Sequence, residues 1–150
     1  MRHASVVLVL ALLGFCGIPA AAVASETPEA RMIAKINVAR ADQGGLPPLR
    51  AARNLQRSAS AFARWLVTHD QFQHRPSVSV TRNYHHSGEA LALHYSLQAE
   101  VGATLSSWMG SSTHRALVLT NSMNLVGVGH ASGRPGGKPR TVWVMQVARR

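Results

Sequence analysis

The apolar positions of this chain change period several times, and each change marks an element. After an unbroken apolar run from Val6 to Phe15, the first regular pattern begins at Thr27-Pro28-Glu29. Thr suits an N-cap, Pro the first helical position and Glu the positively polarised first turn. Met32, Ile33, Ile36 and Ala39 then recur at three- and four-residue spacing, which predicts a helix with one buried face. Gly44-Gly45 ends it. Leu46-Pro47-Pro48-Leu49 reads as a loop pinned by its two leucines, since proline restrains its own backbone and that of the preceding residue. From about Ala52 to Thr68, Leu55, Ala59, Phe62 and Leu66 form an inner stripe, with Arg53, Arg57 and Arg64 mostly on the other side.

Between Gln73 and Gly88 no period holds, although Val78 and Val80 suit a short strand. Ser96 is the expected N-cap of a third helix, on which Val101, Leu105, Trp108 and Met109 share one face. Ser111, Ser112 and Thr113 break that helix, and His114 opens a short fourth one. Asn124 to His130 leans toward a strand, with Gly127 and Gly129 where another backbone can approach closely. Residues 131–140 form an exposed connection, and Thr141 to Val147 is apolar on both faces, as a strand covered on both sides would be. Helices followed by a twice-covered terminal hairpin predict an α+β fold with α-β-α layering. Leu55, Phe62 and Leu66 are expected against the sheet face that carries Trp143.

The first apolar run has a different purpose. Met1-Arg2-His3 is basic, the apolar segment is too short to span a bilayer, and Ala22-Val23-Ala24 offers a small-x-small cleavage site. Residues 1–24 therefore read as a signal peptide, with 25–150 as one secreted or periplasmic domain lacking a transmembrane segment. The single cysteine, Cys16, leaves with the peptide, so the mature domain rests on its core alone and is expected to be a monomer. Sixteen Lys and Arg face six Asp and Glu, and fourteen of those cations are arginine, whose fork suits bidentate oxyanion contacts. Arg53, Arg57, Arg64 and the Arg134-to-Arg140 connection are expected to form a patch for an anionic envelope component: a phosphate, an acidic glycan or a lipid head group. No nucleic-acid recognition motif accompanies the charge.

The candidate chemistry centres on His114. In the first turn of a helix the macrodipole disfavours the imidazolium, leaving a ring able to bind a metal or accept a proton. Phe72-Gln73-His74 and Ser87-Gly88-Glu89-Ala90 are its candidate partners. Two neutral imidazoles, a carboxylate and an open fourth position match a catalytic-type zinc site. The competing reading is a hydrogen-bonded cluster that orders the loops. His74 and His114 lie 40 residues apart, so only the fold can join them. His85 and His86, beside the Gly-Glu segment, are expected at the surface but within reach of a metal, His69 at the exposed end of the second helix, and His94 and His130 in structural or solvated places. A Ser-His hydrolase built on Ser111 or Ser112 lacks the G-x-S-x-G elbow and an orienting acid. A glycosidase needs two convergent acids, and Glu89 has no evident partner. Cysteine nucleophiles are excluded in the mature chain.

The ordered set Asn37-x-x-Arg40, Gly45-Leu46-Pro47-Pro48-Leu49, Phe72-x-His74, Gly88-Glu89, Trp108-x-x-Ser111-x-x-His114-Arg115, Leu119 and Gly127-Val128-Gly129 resembles the bacterial branch of the CAP superfamily. These SCP-like proteins include cysteine-rich secretory proteins, antigen 5 and plant pathogenesis-related proteins, and the likeness runs from Met32 to Val147. The resemblance implies a three-layer α-β-α sandwich with a small antiparallel sheet. It also implies a central cavity holding two histidines and acids, which in some members bind a divalent metal such as zinc. By position His74 resembles the first histidine, Glu89 the first acid and His114 the second histidine. Ser111 stands where eukaryotic members carry a second glutamate, and Ala90 where asparagine usually follows Gly-Glu. The expectation is an exported binding module with a cavity lined by His74, Glu89 and His114, for a lipid, glycan or other envelope ligand, with Zn2+ as candidate cofactor. A metal-dependent hydrolase using the same three residues is the alternative.

Overall fold

The computed structural model describes residues 26–43, 45–76 and 84–150. The expected signal peptide, Gly44 and the strand expected at Val78 and Val80 lie outside these residues. Within them, α1 spans Pro28–Asp42, β1 Arg50–Ala51, α2 Arg53–Thr68, β2 His86–His94, α3 Val101–Gly110, α4 Ser112–Leu119, β3 Leu125–Gly133 and β4 Arg140–Arg149. The sheet order is β1-β3-β4-β2.

Helix α1 starts as its sequence dictates, with the Thr27 hydroxyl accepting from the Ala30 N–H at 3.2 Å. Met32 and Ile36 are fully buried, and so is Arg40. The Asn37 carboxamide clamps Leu49 in both directions, donating to its carbonyl at 3.1 Å and accepting from its N–H at 2.9 Å. That clamp holds Leu49 as the pin of the proline loop, while Leu46 is only half-buried. Arg40 donates to the carbonyls of Val118 (2.7 Å), Thr120 (2.9 Å) and Pro47 (2.9 and 3.0 Å). Its charge thus sits at the negative end of α4, where a cation stabilises the helix dipole. Burial lowers the Arg40 pKa from its ordinary value without bringing a neutral arginine near reach.

Two helical layers cover the sheet. Val126, Val128, Trp143, Met145 and Val147 face α1, α3 and α4. Val142 and Val144 face α2, through Ala59, Phe62, Ala63 and Leu66, with Leu55 in a neighbouring cluster against Leu125 and Ala148. The expectation that α2 packs on the Trp143 face is therefore corrected: Trp143 lies under α1, α3 and α4. Because β4 is apolar on both sides, alternation alone carries no sign to say which side meets which helix.

Three further differences have physical causes. The sheet is mixed, because two-residue β1 pairs in parallel with β3, Arg50 opposite Leu125 and Ala51 opposite Val126; the other pairings are antiparallel. Strand β2 was not foreseen. Its Ala-Leu-Ala-Leu run favours helix, and nine residues of register with β4, from His86 opposite Arg149 to His94 opposite Thr141, override that preference. Ser96 does not cap α3: its hydroxyl accepts from the Gln98 N–H and its carbonyl from the Thr141 hydroxyl, and the helix begins five residues later with Glu100 as N-cap.

Gly127 and Gly129 do what their sequence suggested. A Cβ on Gly127 would lie 2.2 Å from the Leu55 carbonyl carbon, and one on Gly129 2.3 Å from the Ser60 nitrogen. Helix α2 therefore rests on bare β3 backbone.

Candidate functional site

The site forms at the β2 edge of the sheet, where the two helical layers meet. Glu89 is on β2 opposite Gln146 of β4, on the α2 side, while His114 comes from α4 on the other side. His74, in the segment that follows α2, reaches both. Its Nδ1 lies 3.1 Å from Glu89 Oε1, and its ring centroid is 6.4 Å from that of His114, with the planes at 55°. The structure thus places His74 beside both Glu89 and His114, while the expected three-ligand set of His74, Glu89 and His114 is not gathered around one point.

Their environments differ. The Glu89 side chain is 6% exposed and that of His74 56%. Glu89 Oε1 also accepts from the Arg75 N–H at 3.5 Å, and Oε2 accepts from Gln146 Nε2 at 3.0 Å. A buried carboxylate needs such donors. The Arg75 guanidinium donates to the Ser58 carbonyl at 3.2 Å and stacks 4.1 Å over the Phe62 ring. Burial lowers the Arg75 pKa, and Glu89 opposes that shift. Burial, and secondly His74, hold the His114 imidazolium below the ordinary histidine pKa. His114 is at the third position of α4, so its helical placement is as expected, while desolvation is the leading cause of its lowered pKa. Gly88 lets α4 approach β2: a Cβ there would lie 2.4 Å from Leu117 Cδ2.

With both oxygens of Glu89 engaged, the carboxylate orients the His74 ring, an arrangement that favours ligation by the ring's other nitrogen. Among the described residues no group of three His, Cys, Asp or Glu side chains is gathered to hold an ion. The donors that fit a metal here are the two imidazoles. Phe72, at 46% exposure, lies outside the cluster.

Gln146 and Arg75 were missed. Their signals were present: Gln146 is the most polar side chain in the buried run from Val142 to Ala148, and Arg75 directly follows His74. Among the described residues the other histidines stand where the sequence placed them. His85 and His86 are exposed, and His69 stacks on Trp65 at the α2 terminus. His94 Nε2 pairs with Thr104 Oγ1 at 2.7 Å, while His130 pairs with Glu29 and stacks on Trp143 at 4.7 Å.

An apolar groove of about 450 Å3 adjoins the cluster, lined by Ala61, Phe62, Trp65, Gln73, His74 and Arg75. The expected arginine patch is divided. Arg140 pairs with Asp70 just beyond the C-terminal end of α2, and Arg64 is 11 residues from Arg53, about 16 Å along the helix. No helix of the described residues is long and apolar enough to cross a membrane.

The profile of the cysteine-rich secretory protein family, CAP, matches residues 33–147. Comparison with curated protein sequences finds no match. Among solved structures, the chain is similar to an extracellular protein containing an SCP domain from Bacillus anthracis, with a TM-score of 0.66 and 19% identity over 82% of this chain and 40% of that one. It therefore spans less than half of that protein. It is also similar to an outer surface protein from Borrelia burgdorferi, with a TM-score of 0.63 and 15% identity over 80% of this chain and 90% of that one. Venom allergen-like protein 4 from Schistosoma mansoni gives 0.60 and 13%, over 83% and 89%. These neighbours share the α+β fold described above.

Proposed function

Because this chain belongs to the cysteine-rich secretory protein (CAP) family, we propose that it is an exported binding module whose site is the His74-Glu89-His114 cluster and the groove beside it. The groove carries the reading. Its volume is that of a small-molecule site, Phe62 and Trp65 are among its lining residues, and polar groups converge at the His74 end. Such a surface suits an amphiphile with its apolar body on the aromatics and its polar head at His74, or the face of a sugar ring. Two structural neighbours are described as extracellular and outer-surface proteins, which supports an envelope setting.

The test is titration calorimetry with a lysophospholipid below its micellar concentration and, separately, with a soluble oligosaccharide. Saturable binding of either, weakened about tenfold or more by Trp65→Ala, supports the reading; binding of neither overturns it. Export itself is tested by intact mass, where a secreted protein beginning at Ser25 is expected and one retaining residues 1–24 refutes cleavage after Ala24.

The Glu89–His74 pairing favours a second reading, in which His74 and His114 hold zinc. Bound there, zinc would supply a Lewis acid and a water of lowered pKa, as a metal-dependent hydrolase requires. On this reading His74→Ala and His114→Ala each abolish zinc binding in calorimetry, and His94→Ala leaves it intact. Equal zinc affinity in wild type and His114→Ala removes both the metal and the hydrolase.

A further inference from the structure

A second cavity, of about 480 Å3, opens where α2 begins, and its charge is unlike that of the groove. Four arginines are among its lining residues: Arg50 of β1, Arg53 and Arg57 of α2, and Arg150 after β4. All six side-chain carboxylates of the sequence, from Glu26 to Glu100, are among the described residues, and none is within ion-pair distance of these four arginines. Tyr84 and Asn54 complete the wall, exchanging hydrogen bonds at 2.6 and 2.9 Å, and Arg150 lies 5.8 Å over the Tyr84 ring.

Local sequence makes this gathering costly. The start of a helix is its positive end and favours acids. Helix α1 obeys, with Thr27 as cap and Glu29 in the first turn. Helix α2 has Ala52 at its N-cap with no side-chain cap bond, no acid in the first turn, and Arg53 there instead. Four like charges around one concavity also repel one another and focus positive potential within it. A dianion in the cavity would relieve both penalties.

We propose that this cavity binds a phosphate-bearing group of about monosaccharide size. Every cation lining it is arginine, whose planar fork pairs two N–H donors with two oxyanion oxygens. Four positive charges call for more than one negative, and a phosphomonoester brings nearly two on three acceptor oxygens. The volume leaves room for a sugar ring beside it, facing Tyr84 and Asn54. The inference rests on the envelope-facing reading above for where such a ligand comes from, and the cavity shares no lining residue with the His74 groove.

The experiment is calorimetry at low ionic strength with glucose 6-phosphate, inorganic phosphate and glucose, together with co-sedimentation on vesicles of phosphatidic acid in phosphatidylcholine. Glucose 6-phosphate is expected to bind saturably, one per chain, more tightly than inorganic phosphate, and glucose not at all. Arg57→Gln and Arg150→Gln should each weaken it about tenfold or more, the scale of one charge-assisted pair. Arg64→Gln removes the same charge from the same helix and should change nothing. Vesicle binding that glucose 6-phosphate competes away identifies a lipid headgroup as the source; sugar-phosphate binding without vesicle binding identifies a soluble one. Equal weakening by Arg64→Gln, or no saturable binding of glucose 6-phosphate, overturns the proposal. His74→Ala should retain sugar-phosphate binding while losing groove ligands, so either reading can fail alone.

Discussion

His114 is where single-residue chemistry shows most clearly. Burial and the adjacent His74 depress its pKa in the folded state, so the unfolded chain binds the proton more readily than the native one. Its contribution to stability is then fully present above the ordinary histidine pKa of about 6.5 and is lost as pH falls through the range below it. Melting temperature should therefore drop between pH 7.5 and 5, and His114→Gln should flatten that segment of the curve. An unchanged slope would mean that the ring is solvated. The sequence identified this residue through its place at a helix start, and it identified His74 and Glu89 through the family resemblance of Phe72-x-His74 and Gly88-Glu89. It left Gln146 out because a lone amide in an apolar strand reads as pattern noise until the β2 register sets it opposite Glu89. Contacts made only through tertiary pairing, like those of Arg40 with carbonyls at positions 47, 118 and 120, have no local signature.

At the scale of elements, α2 decides most. Phe62 is 5% exposed and lies between Val142, Val144 and the Arg75 guanidinium, so Phe62→Ala should cost about 3–5 kcal/mol in chemical denaturation. A cost under about 1 kcal/mol would contradict the packing described. Gly129→Ala should destabilise by about 1–3 kcal/mol or more, because the added methyl meets Ser60 backbone that cannot rotate away. Arg53→Glu should raise the melting temperature, on the order of 0.3–1 kcal/mol, since it restores an acid to the positive end of the helix. Should it lower stability, the electrostatic cost assigned to that end is absent. Helices α1, α2 and α3 were legible from apolar residues at helical spacing, α4 from the polar break before it, and β3 and β4 from apolar, β-leaning runs. Strand β2 was not, since its residues favour helix and only its partner makes it extended. The face on which α2 packs could not be read either, for want of any polar side on β4.

As a whole molecule, the domain is a sheet closed in by helices on both faces, and its lateral borders are unequal. On one side β2 is flanked by the His74 segment through Glu89. On the other, β1 covers β3 for only two residues, and the Ala52 N–H bonds the Val126 carbonyl just beyond. The next outward amide, that of Val128, is taken by a side chain: Gln56 Oε1 accepts it at 3.1 Å. Gln56 thus does for one amide what a neighbouring strand would otherwise do. A sheet border left with unpaired amides is a template for another copy of the same strand. Beyond the two residues that β1 covers, Gly127 and Val128 continue the strand without charge, so nothing in their side chains repels such pairing. Gln56→Leu keeps the helix but leaves the amide without its acceptor, and relative to wild type it should form slowly growing oligomers in light scattering. A variant whose size distribution matches wild type after prolonged warm incubation would show that this border is guarded by other means.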